Sequence, residues 1–246
     1  MKTADWHNRY LMQARWTKNL RRFIFDKLKA TSGQTVLEVG SGTGALFPDF
    51  EYQGLKPFGV DIDVERCEFS LSQSPLAPVA CADGFRLPFK SGSFDFTVCH
   101  YFLLWLKNPQ EVIKEMKRVT KAGGYVVACA EPDYQSRIDF PELFQSIGQM
   151  QNHSLAFQGV NLSMGRKLGW MMREAGLQGV HLGLLAGEWR QPSLDAFESE
   201  WDMIAYDLGG MAPIERILEI KEEAMESWLK GQATIFIPTF YAHGKL

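Results

Sequence analysis

The feature that most constrains this chain is the stretch VLEVGSGTGAL, residues 36–46. An apolar run is followed by a glycine-rich turn and then by residues that suit the start of a helix, which predicts a strand, a turn and a helix. Residues 40–45 satisfy the pattern G-x-G-x-x-A, which is typical of turns that bind dinucleotides. Glu38 precedes the turn by two residues, and a carboxylate is a poor neighbour for a pyrophosphate. Either the glycines are coincidental, or the turn binds a nucleotide that is not a pyrophosphate.

The bulk composition fits a globular enzyme. The 246 residues suit one α/β domain with insertions, or one domain with a small cap, and 46% of them are hydrophobic. The net charge of −3 provides no overall positive field for nucleic acid. The apolar runs are too short to span a bilayer, and the first ten residues contain no apolar signal core. We therefore expect a cytoplasmic protein without membrane partners.

Strand and helix patterns alternate through the first half of the chain. Residues 109–120, for example, place Val112, Ile113 and Met116 on one helix face. Such alternation predicts βαβ units, and therefore an α/β fold with a doubly wound, mostly parallel sheet. The predicted strands are 35–39, 57–61, 79–82, 94–99 and 125–130, with helices from about Thr43, at 64–73 and at 109–120.

Other segments lie outside this alternation. We expect a single domain, 1–246, in which residues 1–30 form an N-terminal helical cover and residues 133–162 and 187–232 form helical cap insertions. Because ligands of open α/β sheets bind outside the carboxyl ends of the strands, the cap is expected there. The elements predicted after residue 132 are helices at 140–157, 168–175 and 192–231, the last broken at Gly209-Gly210, and strands at 180–185 and 234–241.

Acidic residues follow three successive predicted strands: Glu38, Asp61 and Asp83. Each would project to the same edge of a parallel sheet. Asp61 can accept both hydroxyls of a ribose, and Asp83 is a candidate acceptor for the amine of adenine. No Lys or Arg lies between residues 35 and 50 to offset Glu38. A pyrophosphate would therefore be repelled, whereas a ligand with an ammonium and a sulfonium would be attracted.

Five stretches together resemble a known family. VLEVGSGTGAL, GVDID, ADGFRLPF, GSFDFTVCHYFLLWL and EVIKEMKRVTKAGGYVV are similar to the successive motifs of class I S-adenosylmethionine-dependent methyltransferases, in order and at suitable spacing. The resemblance covers residues 33–131, and more weakly 164–186 and 234–246. It implies a Rossmann-like, seven-stranded sheet whose last strand is antiparallel, S-adenosylmethionine as the cofactor, and an enzyme that transfers a methyl group.

The resemblance also implies roles for individual residues. The glycine turn would surround the methionine part of the cofactor, and the N-terminal helix commonly closes over the cofactor in relatives. The implied cofactor-binding residues are Glu38, Gly40, Ser41, Gly42 and Gly44 at the methionine part, Asp61 at the ribose, Ile62, Ala82 and Asp83 at the adenine, His100 (largely through its backbone) and Tyr101 near the sulfonium, and Tyr10 and Arg15 from the N-terminal helix.

Methyl transfer is an in-line displacement at a sulfonium, so positioning of the acceptor and exclusion of water account for much of the catalysis. A base is needed only where the acceptor must lose a proton. The sequence does not assign a catalytic residue. His100 and Glu131 are candidates to line the acceptor site, and His7 and His153 are further candidate bases. No carboxylate–histidine cluster has the spacing of a metal site.

The sequence favours a small-molecule acceptor, methylated at O, N or C. Residues 187–230 contain eleven acidic and four basic residues, which disfavours a phosphate backbone. The Asn-Pro-Pro-Tyr pattern of some methyltransferases that act on amino groups of nucleic acid and protein is absent, and residues 99–102 read Cys-His-Tyr-Phe instead. Candidate residues for an apolar pocket are Trp6, Trp105, Trp189 and Trp201.

Three other functions stay open. An RNA methyltransferase could use the basic N-terminal helix as its contact surface, and a non-catalytic protein could retain the fold as a binding module. A nicotinamide-dependent oxidoreductase could use the same glycine turn, although Glu38, Asp83 and the order of the motifs oppose it. The sequence does not predict the oligomeric state.

Overall fold

The computed structural model describes residues 2–185, 193–209 and 214–246. The chain divides into two compact units. The sheet unit contains Met1–Glu131, Gly165–Leu185 and Phe240–Leu246, and the helical unit contains Pro132–Met164 and Ala186–Thr239. The two predicted insertions, 133–162 and 187–232, fall within the helical unit, whereas residues 1–30 belong to the sheet unit.

From β1 to β5 the helices and strands follow the order that the sequence predicts. None of the helices in the described ranges is long and apolar enough to cross a membrane. The elements are α1 (Thr3–Trp16), α2 (Lys18–Lys27), β1 (Thr35–Val39), α3 (Phe47–Tyr52), β2 (Lys56–Asp61), α4 (Val64–Gln73), β3 (Val79–Cys81), β4 (Phe94–Cys99), α5 (Pro109–Val119), β5 (Thr120–Pro132), β6 (Ile138–Phe140), α6 (Glu142–Phe157), α7 (Met164–Glu174), β7 (Gln178–Leu185), α8 (Leu194–Leu208), α9 (Ile214–Leu229), β8 (Thr234–Phe236) and β9 (Thr239–Lys245).

Seven strands form the main sheet in the order β3-β2-β1-β4-β5-β9-β7. The pairs among β1 to β5 are parallel. Strand β9 runs against its neighbours: a side chain at Gly183, late in β7, would meet Tyr241, early in β9, while one at Gly244 would meet Val180. The predicted α/β fold, a doubly wound seven-stranded sheet with its last strand antiparallel, is confirmed.

The sheet buries a continuous apolar face because its central strands are apolar on both sides. Val36 and Leu37 in β1 and Val98 in β4 are fully buried, as expected for strands covered on two faces. Helices α2 and α3 cover one face through Phe25 and Phe50, whose rings pack edge to face at 5.7 Å. This packing fixes the N-terminal helices against the sheet that carries the glycine turn.

Several elements differ from the sequence predictions; β5 and α7, for example, begin five and four residues earlier than predicted. The helix predicted from about Thr43 begins only at Phe47, because Gly44 has a φ of +73°, which no helical residue adopts. The strand predicted at 234–241 is two strands, and β8 pairs with β6 in a separate two-stranded antiparallel sheet. The N-terminal helical segment is two helices that meet at Thr17.

The helical unit has a core of its own. Phe144 from α6 and Phe197 and Trp201 from α8 are buried in it together with apolar residues of α9. Trp201 is therefore a core residue and not a lining residue of an open pocket. Trp189 lies outside the described residues, as do 186–192 and 210–213 of the second predicted insertion.

The sheet unit contains a buried histidine, His243, which should make the unfolding free energy depend on pH. Only 6% of His243 in β9 is exposed, and its ring stacks on His181 at 5.1 Å. Burial, followed by the charges of His181 and Lys27, lowers the pKa of His243 to about 4. The unfolded chain therefore binds more protons than the folded one between about pH 6.5 and pH 4, and stability falls as the pH falls through that window.

We expect this group to account for up to about 3 kcal/mol of the loss in unfolding free energy across the window. In His243→Phe that part of the loss should be absent, whereas substitution of the exposed His153 by Phe should leave the profile unchanged. Urea unfolding at a series of pH values measures both. Parallel profiles for wild type and His243→Phe would contradict the assignment.

Candidate active site

The carboxyl ends of β1 and β2 bring the first two acids together. Glu38 pairs in register with Gly59 of β2 and with Val98 of β4, and Asp61 ends β2 beside Cys81 of β3. Both carboxylates are buried, although neither forms an ion pair within the described chain. Buried carboxylates without a cation are costly, so their presence at a strand edge indicates a site for a ligand.

Asp61 holds the glycine turn in place. Its Oδ2 accepts the N–H of Gly42 at 2.7 Å, and its Oδ1 accepts the N–H of Asp63 at 3.0 Å. The amides of Gly40 and Ser41 donate to the carbonyl of Val60. Each carboxylate oxygen can accept a second hydrogen bond, so Asp61 retains capacity for ligand hydroxyls.

The turn requires glycine for two reasons. Gly40 and Gly42 have φ values of +74° and +53°, which other residues rarely adopt. A side chain at Gly40 would also collide with the ring of Phe102, and one at Gly42 would come within 3.1 Å of Tyr10. The rings of Tyr10 and Phe102, which are distant from the turn in sequence, therefore enclose it.

Glu38 has an oxygen without a partner. Its Oε2 is buried and has no hydrogen-bond partner among the described residues. Burial raises the pKa of Glu38 well above its usual value, and the charge of Arg21 opposes this rise. The expectation that no basic residue offsets Glu38 was wrong, because Arg21 arrives from α2 and not from the strand–turn segment. A donor that reaches Oε2, such as an ammonium, would relieve the desolvation of this carboxylate.

Helix α1 lies against the glycine turn. His7 Nδ1 is 2.9 Å from Thr43 Oγ1, and the ring of Tyr10 faces Gly42. Trp6 stacks on Tyr10 at 5.7 Å between ring centroids. The structure thus places Tyr10 at the turn, whereas Arg15 is exposed in the last turn of α1.

The adenine candidates form a ledge beside Asp61. Ile62 is 71% exposed, directly after a buried strand, and Ala82 donates its N–H to the carbonyl of Asp61. Asp83 is exposed, and its Oδ1 accepts the N–H of Phe85 at 2.9 Å. An exposed isoleucine between two acids offers an apolar surface to a flat ring and acceptors to its polar edge.

His100 and Tyr101 follow β4 at the same edge. Tyr101 has a φ of +49°, which is strained for a tyrosine and typical of functional sites. His100 Nε2 lies 2.8 Å from Thr17 Oγ1, and the imidazole contacts the Tyr101 ring at 4.6 Å. Burial and the charge of Arg21 lower the pKa of His100 well below its usual value, so its imidazole is neutral near neutral pH.

Glu131, the other candidate for the acceptor site, organises a loop. Its Oε1 accepts the amides of Phe102 and Leu103, both at 2.9 Å, and its Oε2 accepts the amide of Leu104 at 3.1 Å. Burial raises the pKa of Glu131 to about 7, although the three N–H donors oppose the rise. A carboxylate engaged in this way holds the loop after β4 in position, and that role accounts for its burial without a base function.

The remaining sequence candidates are dispersed. The 3₁₀ turn after β4 carries Trp105, which is half exposed, and α1 carries Trp6, which is partly exposed. His153 lies exposed on α6 in the helical unit. Within the described ranges no three His, Cys, Asp or Glu side chains form a group that could hold a metal ion.

Comparisons with known proteins agree with this geometry. Residues 37–128 match the family model described as a methyltransferase domain. A solved protein from Anabaena variabilis, described as a methyltransferase of an antibiotic biosynthesis pathway, superposes with a TM-score of 0.67 at 14% identity, over 92% of this chain and 96% of that one. Residues 37–128 are thus similar to a methyltransferase domain, and the chain has the Rossmann-like fold of class I methyltransferases.

Two curated relatives are each similar to less than half of the chain. A demethylmenaquinone methyltransferase of Renibacterium salmoninarum is 32% identical over 111 residues, which is 45% of this chain and 47% of that protein. A sterol 4-C-methyltransferase of Caenorhabditis elegans is 30% identical over 113 residues, or 44% of this chain and 34% of that protein. The chain thus spans less than half the length of each of these relatives.

Sequence reasoning missed the residues that support this site from a distance. Phe102 contacts Gly40 of the turn, Thr17 contacts His100, and Arg21 donates a hydrogen bond to Thr17. Each of the three lies in an ordinary helix or loop pattern. The one available signal was the apolar context of Arg21, which follows Leu20 and precedes Phe23 in a helix that must pack on a sheet.

The close approach of Phe102 to Gly40 predicts a specific cost for one substitution. Gly40→Ala should lower the unfolding free energy by about 1–3 kcal/mol more than Gly33→Ala, because both positions have positive φ but only Gly40 faces a ring. Urea unfolding of the two variants provides the comparison. Equal losses of unfolding free energy would show that Phe102 does not enclose the glycine turn.

Proposed function

We propose that this chain transfers the methyl group of S-adenosylmethionine to a small-molecule acceptor by in-line displacement. The observation that carries the proposal is the buried Oε2 of Glu38, which has no partner among the described residues and lies beside a glycine turn fixed by Asp61. A site of this kind suits a ligand that brings its own cation to the carboxylate.

The residues present fit that cofactor part by part. Glu38 would accept the ammonium of the methionine part, against the backbone of Gly40, Ser41, Gly42 and Gly44. Asp61 has lone pairs left for ribose hydroxyls, and the ledge of Ile62, Ala82 and Asp83 would hold the adenine. When bound, the cofactor supplies a methyl carbon that is already strongly electrophilic.

The protein then needs to orient the acceptor and to exclude water. His100 and Tyr101 are our candidates for the wall nearest the reacting atoms, since they follow β4 and the Tyr101 backbone is held by the carbonyl of Ala130 at 2.9 Å. Glu131 acts on this wall indirectly, because it accepts hydrogen bonds from the amides of residues 102–104, which directly follow Tyr101. Helix α1, through His7 and Tyr10, would keep water from the glycine turn.

The acceptor is proposed to be small and partly apolar. Two relatives are named for methylating a menaquinone precursor and a sterol, and both of these acceptors are small apolar molecules. The described part of the helical unit is acid-rich in α8 and α9, which opposes a nucleic-acid backbone. An RNA acceptor and a purely binding role stay as the alternatives, and the assay below separates them.

The affinity for S-adenosylhomocysteine should depend on the charge of Glu38. In Glu38→Gln the affinity for S-adenosylhomocysteine should fall at least about tenfold, equivalent to about 1.4 kcal/mol, since the amide removes the charge that the ammonium requires. Unfolding free energy should not fall, because burial already penalises the carboxylate. Calorimetric titration measures the affinity, with the exposed Glu51→Gln as the matched control. Undiminished affinity in Glu38→Gln would contradict the role of Glu38.

Release of S-adenosylhomocysteine tests the activity itself. Wild-type protein with S-adenosylmethionine and a panel of quinols, phenols, amines and sterols should form it with at least one small molecule, and Asp61→Asn should reduce it strongly. Product formed only with RNA would favour the RNA alternative. Cofactor binding without product from any member would favour the binding role.

A further inference from the structure

A buried chain of polar groups leads from Arg21 to the ring of His100. Arg21 Nη1 donates to Thr17 Oγ1 at 2.6 Å, and that oxygen is 2.8 Å from His100 Nε2. Arg21 also donates through Nε to Asp49 of α3 at 3.0 Å and through Nη2 to the carbonyl of Ala14 at 2.9 Å. Arg21 and Thr17 are both almost completely buried, so the positions of these hydrogen bonds are well determined by packing.

The hydroxyl of Thr17 decides which nitrogen of His100 carries the proton. A hydroxyl donates one hydrogen bond and accepts two, and Arg21 can only donate to it. If Thr17 donates to the carbonyl of Gln13, 3.1 Å away, it can accept from both Arg21 and an Nε2–H of His100. If Thr17 donates to Nε2 instead, the bond to Gln13 is lost. The arrangement with more hydrogen bonds is the Nε2–H tautomer, which leaves a lone pair on Nδ1.

The Nδ1 atom is available to a ligand. Among the described residues it has no hydrogen-bond partner, and His100, directly after the carboxyl end of β4, is a partly buried residue. Burial and the neighbouring Arg21 lower the pKa of His100, so the imidazole binds a proton weakly while its lone pair still accepts a hydrogen bond. His100 is thus suited to orient a donor group and is a weak base.

We propose that Thr17, held by Arg21, is a positioning residue that fixes His100 as the Nε2–H tautomer, so that Nδ1 accepts a hydrogen bond from an O–H or N–H group of the methyl acceptor. This inference rests on the proposed methyl transfer and narrows its acceptor to molecules with a hydroxyl or N–H group near the methylated atom. Thr17 and Arg21 act through His100 and do not contact the acceptor.

The tautomer can be measured without any acceptor or cofactor. Long-range ¹H–¹⁵N correlation spectra of uniformly ¹⁵N-labelled protein distinguish the two neutral tautomers of histidine, and the chain has only five histidines. His100→Gln identifies the signals of His100. We expect the Nε2–H tautomer in wild type and in Thr17→Ser, which keeps the hydroxyl, and a mixture in Thr17→Val, which has the same shape without it.

An Nδ1–H tautomer in the wild type would overturn the proposal, as would a Thr17→Val spectrum identical to the wild type. The wild-type result stands even where Thr17→Val folds poorly. Because the spectra are recorded without cofactor, a failure here leaves the proposed methyl transfer untouched, and absent cofactor binding leaves the tautomer result readable.

The acceptor class is tested with a matched pair of probes. In the presence of saturating S-adenosylhomocysteine, phenol, which carries an O–H, should shift the Nδ1 resonance of wild-type His100 in the direction of hydrogen-bond acceptance. Anisole, its methyl ether, should not. Equal shifts, or no shift with phenol up to its solubility, would overturn the assignment of Nδ1 to an O–H or N–H acceptor.

Discussion

The site depends on one buried cation, the guanidinium of Arg21. It joins the end of α1, the α1–α2 junction and α3 through Ala14, Thr17 and Asp49, and its charge acts on Glu38 and His100 as well. Removing one partner of a buried ion pair typically costs about 3–5 kcal/mol, because the other charge is left without compensation. Docking of the N-terminal helices against α3 therefore depends on this side chain, and its charge adds to burial in lowering the pKa of His100.

Three buried carboxylates at this edge of the sheet differ in how their oxygens are satisfied. Asp61 and Glu131 accept hydrogen bonds from backbone amides and so hold the loops after β1 and β4 in position. Glu38 keeps a buried oxygen without a partner in the described chain. An unsatisfied buried acceptor destabilises the fold, so its retention beside a rigid turn is best explained by a ligand that supplies the missing donor. The proposed binding of S-adenosylmethionine would supply that donor through the ammonium of the cofactor.

The sequence predicts the sheet well: the parallel strands follow from the βαβ alternation, and the antiparallel last strand follows from the family resemblance. It places Glu38, Asp61 and the glycines for the same reason: each is next to a strand end. It misses Arg21, Thr17 and Phe102, since contacts between distant segments leave no local periodicity. The start of α3 was misplaced because Gly44 continues the turn with positive φ, a property that its neighbours do not reveal. Strands β6 and β8, which pair in the small sheet, are too short to leave an alternating pattern.

The central claim is that the glycine turn, with Glu38 beneath it, binds a cationic amino-acid nucleoside and not a dinucleotide. Parallel calorimetric titrations of the unaltered protein with S-adenosylmethionine, S-adenosylhomocysteine and NADH test this most directly. We expect saturable binding of the first two and no heat from NADH, because a pyrophosphate would meet the Glu38 carboxylate. Binding of NADH with no binding of S-adenosylhomocysteine would contradict it.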